Sequence, residues 1–157
     1  MKYADYRISR VTSKDSVPFN LLLLADETIE AIERYIYDCD VYVAKERDNS
    51  LPVAVFALYK ISEAVVEIKN IAVLESLQGQ GLGSHLIKEL KRIATLSKYE
   101  TVIVGTPFCS FRQLHFYEKN GFTRYGMRKG FYLMYYPEPI IENGITLSDM
   151  VMLKLDL

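Results

Sequence analysis

The sequence predicts an α/β (α+β) fold around a mixed, mainly antiparallel sheet. Two observations carry this expectation. Three β-rich segments follow one another between residues 41 and 74 with only tight turns between them, as antiparallel neighbours do. A strongly periodic helix then leads into another apolar strand, and strand, helix, strand in that order is a crossover between parallel partners.

The elements follow in order. Residues 6–11 read as a short first strand. Residues 16–38 read as a helical region, with Pro18 in the first turn after a Ser16 cap and with Ile29, Ile32 and Ile36 on one face. Residues 41–48 and 51–61 are rich in β-branched and aromatic side chains, and the DNSLP stretch between them supplies hairpin chemistry. Ser62 and Glu63 turn the chain again into a strand over 64–74. Leu82, Leu86, Leu90, Ile93 and Ala94 then recur at helical spacing up to about Ser97. TVIVGT, residues 101–106, is a nearly continuous apolar strand, as expected of one covered on both faces. FRQLHFYEKNGF reads as a helix ending at Asn120, with Gly121 as its left-handed cap and Phe122 folding back. The remainder alternates through FTRYG and GFYLMYY to a closing strand, DMVMLKLDL.

No repeat, low-complexity tract or long linker interrupts the 157 residues, so one domain over 1–157 is expected. Lys+Arg of 19 against Asp+Glu of 20 gives a net charge of -1, without the basic excess of a nucleic-acid binder. The apolar run LLLL at 21–24 is far too short to span a bilayer, and MKYADYRISR has no apolar signal segment. Cys39 and Cys109 form neither a disulfide framework nor a CxxC metal site. His85 and His115 have no partner at metal-ligand spacing. A cytoplasmic protein without a metal or membrane partner is the expectation.

Residues 77–87, LQGQGLGSHLI, stand apart, because glycine at such density needs a backbone reason. A dinucleotide fingerprint requires G-x-G-x-x-G in a βαβ unit, whereas the spacing here is G-x-G-x-G. A Walker loop fails because Gly83 is followed by Ser84 and His85, with no lysine. What remains is a strand end, a short loop and a helix start near Gly81, where unpaired N–H groups and the helix dipole favour an anion. A plain strand-to-helix turn, with glycines serving close packing, accounts for the same residues. On mechanics alone the two readings stand side by side.

Gln78-Gly79-Gln80-Gly81-Leu82-Gly83 fits the Q/R-x-x-G-x-G/A signature of the GNAT superfamily of acyl-CoA-dependent N-acetyltransferases. FRQLHFYEKNGF resembles that family's LYEKLGF helix, and both motifs fall in the family's order. The resemblance covers the domain from the first strand to MVMLKLDL, and the C-terminal part looks like a bacterial subgroup of unnamed substrates. It implies the GNAT fold: a twisted sheet of about seven strands flanked by about four helices, splayed between strands four and five. It also implies acetyl-CoA as co-substrate, its pantetheine lying in the splay like an added strand. By position, Ile71, Ala72 and Val73 would supply the strand edge. Backbone N–H groups of Gly79, Gln80, Gly81, Leu82, Gly83 and Ser84, with Gln78 heading the motif, would hold the pyrophosphate. Ser110 stands where many members carry a pantetheine-binding Asn, and Gly105 where some carry a base glutamate.

The implied chemistry is direct attack of an amine on the thioester. Tyr117 matches the family's tyrosine and is the candidate acid for the leaving thiolate; a helix-core aromatic is its plainer role, since Phe111, Leu114 and Tyr117 share a face. Glu67 is the candidate base, acting through water, against a solvated pairing with Lys69 on the same strand face. Substrate segments in the family correspond here to ADETIEAIERYIYDCD and RYGMRKGFYLMYYPEPIIENG, whose acidic and aromatic residues suit a small primary amine, with a peptide N-terminus or lysine left open; a solvated helix face accounts for the acids equally well. The implied partners are acetyl-CoA and an amine acceptor. The apolar C-terminal strand would let two copies pair as a homodimer. A non-catalytic acyl-CoA-binding or interaction module on the same fold is the alternative.

Overall fold

The computed structural model describes residues 5–157. Its strands are β1 (Tyr6–Arg10), β2 (Asp40–Glu46), β3 (Pro52–Lys60), β4 (Val65–Val73), β5 (Thr101–Pro107), β6 (Thr123–Arg128), β7 (Ile141–Glu142), β8 (Ile145–Thr146) and β9 (Met150–Asp156). Seven of them form one sheet in the order β1-β2-β3-β4-β5-β9-β6, while β7 and β8 make a separate hairpin. Only β4 and β5 run parallel; every other pair is antiparallel. The helices are α1 (Phe19–Leu22), α2 (Ile29–Glu33), α3 (Leu82–Leu96), α4 (Phe111–Lys119) and α5 (Phe131–Tyr135).

The sheet is buried on both faces, which explains the unbroken apolar run of β3. Ala54, Phe56 and Leu58 join one core cluster with Leu82, Leu86, Leu90 and Ala94 of α3 and Leu114 and Tyr117 of α4. Val55 and Ala57, alternating with them, join a second cluster with Leu21, Leu22, Ile32 and Ile36. Leu82, Leu86 and Leu90 of α3 are withdrawn from water almost completely, each contributing roughly 1.5–3 kcal/mol of transfer free energy.

β4 and β5 are in register only from Val65↔Thr101 to Ile68↔Val104. Just beyond, Ala57 of β3 pairs with Asn70 whereas Leu58 pairs with Ile68, so Lys69 is the extra residue of a β-bulge. A bulge bends its strand. β5 meanwhile stays with β9 as far as Pro107↔Met150. The two parallel strands therefore part, opening a gap in the middle of the sheet.

Three expectations are corrected. The helical region over 16–38 is broken: Ser16 ends a 3-10 turn whose cap is Ser13, and Thr28 caps a new helix by accepting from Ala31 N at 3.1 Å. Ile32 and Ile36 are buried as expected, but Ile29, first after that cap, faces solvent. GFYLMYY is not extended. Gly130 takes a left-handed φ of 66°, and along α5 and its end the rings meet at i, i+4 spacing, Tyr132 stacked on Tyr136 and Phe131 tilted against Tyr135. The C-terminal strand β9 lies between β5 and β6, so it has no free edge with which to pair a second copy; the sheet edges are β1 and β6.

Candidate active site

The gap between β4 and β5 opens into a cavity of about 580 Å³. β4 contributes residues 67–71, β5 residues 104–107, α4 Gln113 and Tyr117, and the α1–α2 connection Asp26 and its neighbours. Arg128 at the end of β6 and the aromatic residues of α5 close another wall.

Glu67 is buried, with 3% of its side chain exposed, so the solvated pairing with Lys69 is corrected. Its Oε2 lies 3.3 Å from Arg128 Nη2 and its Oε1 3.0 Å from Lys69 Nζ. The latter contact is an ion pair outside hydrogen-bonding angles, which leaves Oε1 without a hydrogen bond. Lys69 also lies 5.4 Å over the Tyr59 ring, a cation–π contact. Two cations thus face one carboxylate, and the trio carries one excess positive charge.

Tyr117 is buried against Phe116 and Phe122, ring edges meeting faces at 5.3 and 5.5 Å. Both roles weighed for it are compatible, because its ring joins the core while the residue lines the cavity. Its hydroxyl makes no hydrogen bond among the described residues. Burial raises its pKa above the ordinary tyrosine value, keeping the phenol protonated.

Ile71, Ala72 and Val73 pair with Phe56, Val55 and Ala54 of β3, and their other backbone edge has left β5. Ala72 is buried in the second core cluster, while Ile71 and Val73 pack half-buried on the first. Gln78 follows a 3-10 turn over Glu75–Leu77, and its Nε2 donates to Val73 O at 2.9 Å, tying the loop to the end of β4. Gln80 Nε2 donates to Ser76 O at 3.4 Å.

The glycines divide between the two readings. Gly79 and Gly81 have φ of 75° and 88°, and nothing lies within 4 Å of where a Gly79 Cβ would stand. Gly83 serves packing, since a Cβ there would meet the Phe116 ring at 3.1 Å. Leu82 is buried in the core, Ser84 is half-buried, and no side chain caps the helix at Gly81. The first N–H groups of α3 therefore face outward without a side-chain acceptor, above an open glycine loop.

Ser110 is buried at the start of α4, and its Oγ donates to Glu142 Oε2. The β7–β8 hairpin is thereby fastened to the β5–α4 junction, with Asn143 Nδ2 donating to Cys109 O at 3.4 Å. At Gly105, a Cβ would stand 2.1 Å from Met150 Sδ, so a larger residue there requires Met150 to move. Both cysteines are free, and burial pushes the Cys39 thiol up to about 12. His115 is exposed on α4. Among the described residues no cluster of His, Cys, Asp or Glu is arranged to hold a metal, and no helix is long and apolar enough to cross a membrane.

The sequence does not foretell the polar network that links β4 to the α1–α2 connection. Asn70 Nδ2 donates to Leu22 O at 3.0 Å and to Tyr35 Oη at 3.1 Å. Tyr35 Oη donates to Asp26 Oδ2 at 3.0 Å, and Tyr136 Oη to Asp26 Oδ1 at 2.7 Å. Asn70 carries no sequence signal of its own, whereas Asp26, Tyr35, Arg128 and Tyr136 fall inside the segments read as substrate-facing.

The acetyltransferase (GNAT) domain model matches residues 37–124. An uncharacterised N-acetyltransferase of Bacillus subtilis (strain 168), YvbK, is 39% identical over 139 residues, 88% of each chain. A solved GNAT family acetyltransferase from Elizabethkingia anophelis with acetyl-CoA bound superposes with a TM-score of 0.92 at 38% identity, over 98% of this chain and 99% of that one. An IAA acetyltransferase from Bacillus cereus ATCC 14579 superposes with a TM-score of 0.88 at 36% identity, over 97% and 99%.

Proposed function

The chain belongs to the GNAT acetyltransferase family, and on that premise we propose that it acts as one domain transferring acetyl from acetyl-CoA to a small primary amine. The observation that carries the reading is the parting of β4 from β5 after Ile68 and Val104, beside an uncapped, glycine-led helix N-terminus. An extended pantetheine fits along the freed edge of Ile71, Ala72 and Val73 by main-chain hydrogen bonds. The pyrophosphate fits the N–H groups from Gly79 to Ser84, where the helix dipole favours negative charge. Gln78 holds that loop against β4, and Ser110 flanks the far side, its hydroxyl shared with Glu142.

In the proposed reaction the amine nitrogen attacks the thioester carbon, the C–S bond breaks, and the thiolate leaves with a proton from Tyr117. Burial keeps that phenol protonated, and among the described residues its hydroxyl has no competing acceptor. The proton lost by the amine passes through water to Glu67. The excess positive charge of Glu67, Lys69 and Arg128 assists, because it disfavours a protonated amine beside it.

The test is acetyl-CoA binding by calorimetry, followed by free-thiol release with a panel of amines to which IAA is added. Amine-dependent release supports the reading. Tight binding without release from any amine replaces it with a non-catalytic acyl-CoA-binding module, and release with IAA alone replaces the acceptor class.

A further inference from the structure

We propose that the acceptor is a diamine, its second amino group held protonated at Asp26 by charge and by the tyrosines around it; this rests on the acetyltransferase reading above. Asp26 lies on the α1–α2 connection, half-buried, and lines the same cavity as Glu67 from a different element. Its carboxylate accepts three hydrogen bonds, all from neutral donors. Tyr136 Oη and Glu27 N, each at 2.7 Å, use Oδ1, and Tyr35 Oη at 3.0 Å uses Oδ2. A carboxylate has about four acceptor sites, so one remains, on Oδ2.

No cationic side chain pairs with Asp26 among the described residues. The cation beside it, Arg34, instead donates to Tyr135 O at 2.6 Å. Asp26 therefore brings an unneutralised negative charge into the cavity. The aromatic residues next to it, Tyr35, Tyr132 and Tyr136, also line that cavity, and Tyr132 stacks on Tyr136 at 5.9 Å. A carboxylate among tyrosine rings suits an ammonium by charge, hydrogen bond and cation–π contact together. Asn70 of β4, joined to this network through Tyr35, keeps a buried amide oxygen with no donor, a further acceptor for a bridging water.

The two charge clusters ask opposite things of an amine. Around Glu67 the excess charge is positive and favours the neutral, nucleophilic form. At Asp26 the charge is negative and favours the protonated form, which has no lone pair with which to attack. One amino group cannot satisfy both, whereas a molecule with two can. The group at Asp26 is then the handle and the group near Glu67 is the nucleophile.

The experiment compares acceptors with a four-carbon chain that differ only at the far end: ammonium, methyl, hydroxyl and carboxylate, as 1,4-diaminobutane, butylamine, 4-aminobutan-1-ol and 4-aminobutyrate. Diamines from three to six carbons are run beside them. The best diamine is expected to exceed butylamine in kcat/KM by roughly 10–100-fold, the scale of one charge-assisted hydrogen bond, with most of the difference in KM. In Asp26→Asn that ratio falls toward one, while acetyl-CoA binding, measured on the same preparation, reports that the variant is folded. Turnover of monoamines and diamines at equal kcat/KM in the wild type overturns the inference and leaves the acetyltransferase reading standing. A preference for 4-aminobutyrate also overturns it, assigning the handle to Arg34 or Arg128. Acetyl-CoA binding without turnover of any amine overturns both.

Discussion

Tyr117 and Glu67 are held in place by different forces, and their variants should fail differently. Tyr117 is fixed by aromatic packing, so Tyr117→Phe keeps the ring contacts and loses only the proton donor. Turnover is expected to fall roughly 100-fold, with acetyl-CoA affinity little changed. Wild-type turnover in that variant, measured by thiol release, would remove the acid role. Glu67 is fixed by ion pairs, so Glu67→Gln removes the charge that neutralises Lys69 and Arg128. The expected cost is about 2 kcal/mol in urea unfolding, the scale of an orphaned charged partner. Its catalytic role predicts a second effect, a fall in kcat of roughly 100-fold or more with acetyl-CoA affinity little changed. An unchanged kcat alongside the stability loss would leave Glu67 as a structural ion-pair member only.

Among the elements, the turn from β4 into α3 combines two constraints that the GQGLG spacing alone leaves mixed. Gly81 sits at φ 88° as the helix N-cap, a conformation costly for any residue with a Cβ. Gly81→Ala is expected to destabilise the fold by about 1–2 kcal/mol and to weaken acetyl-CoA binding, both readable by thermal shift with and without the ligand. A variant of unchanged stability and unchanged ligand shift would show that the left-handed cap is dispensable. The β4 strand gains its function from a single extra residue. Lys69 at the bulge turns the strand away from β5 and also supplies one of the cations on Glu67. Nothing in VEIKNIAV marks that bulge, because a strand with one inserted residue has the same composition as one without it. α5 is the converse case. Its aromatic residues read as strand by propensity, but i, i+4 ring stacking after a left-handed glycine makes a helix of them.

For the whole molecule, burial of phenols predicts a definite response to alkali. Tyr35, Tyr117, Tyr132 and Tyr136 all have pKa values raised above the ordinary value of about 10, chiefly by burial. A raised folded-state pKa gives stability that is complete below the unfolded value and is lost as pH rises past it. Burial likewise raises the Cys39 thiol from its ordinary value of about 9, so urea stability should begin to fall near pH 9 and fall further above about pH 10, less steeply in Tyr117→Phe. Equal slopes in the two proteins would contradict the burial of that phenol. The sequence by itself determined the strand succession over residues 41–74, the parallel crossover through the 82–96 helix and the motif Gln78–Gly83. These depend on hydrophobic period and glycine spacing, which are local. Only the tertiary structure decided that Glu67 is buried between Lys69 and Arg128, that β9 is interior, and that Asp26 meets Tyr35 and Tyr136, with Asn70 joined through Tyr35. Apart from Glu67 with Lys69, those pairings join residues well separated in the chain, and their partners are chosen by sheet order and by one bulge, neither of which leaves a periodic trace in the sequence.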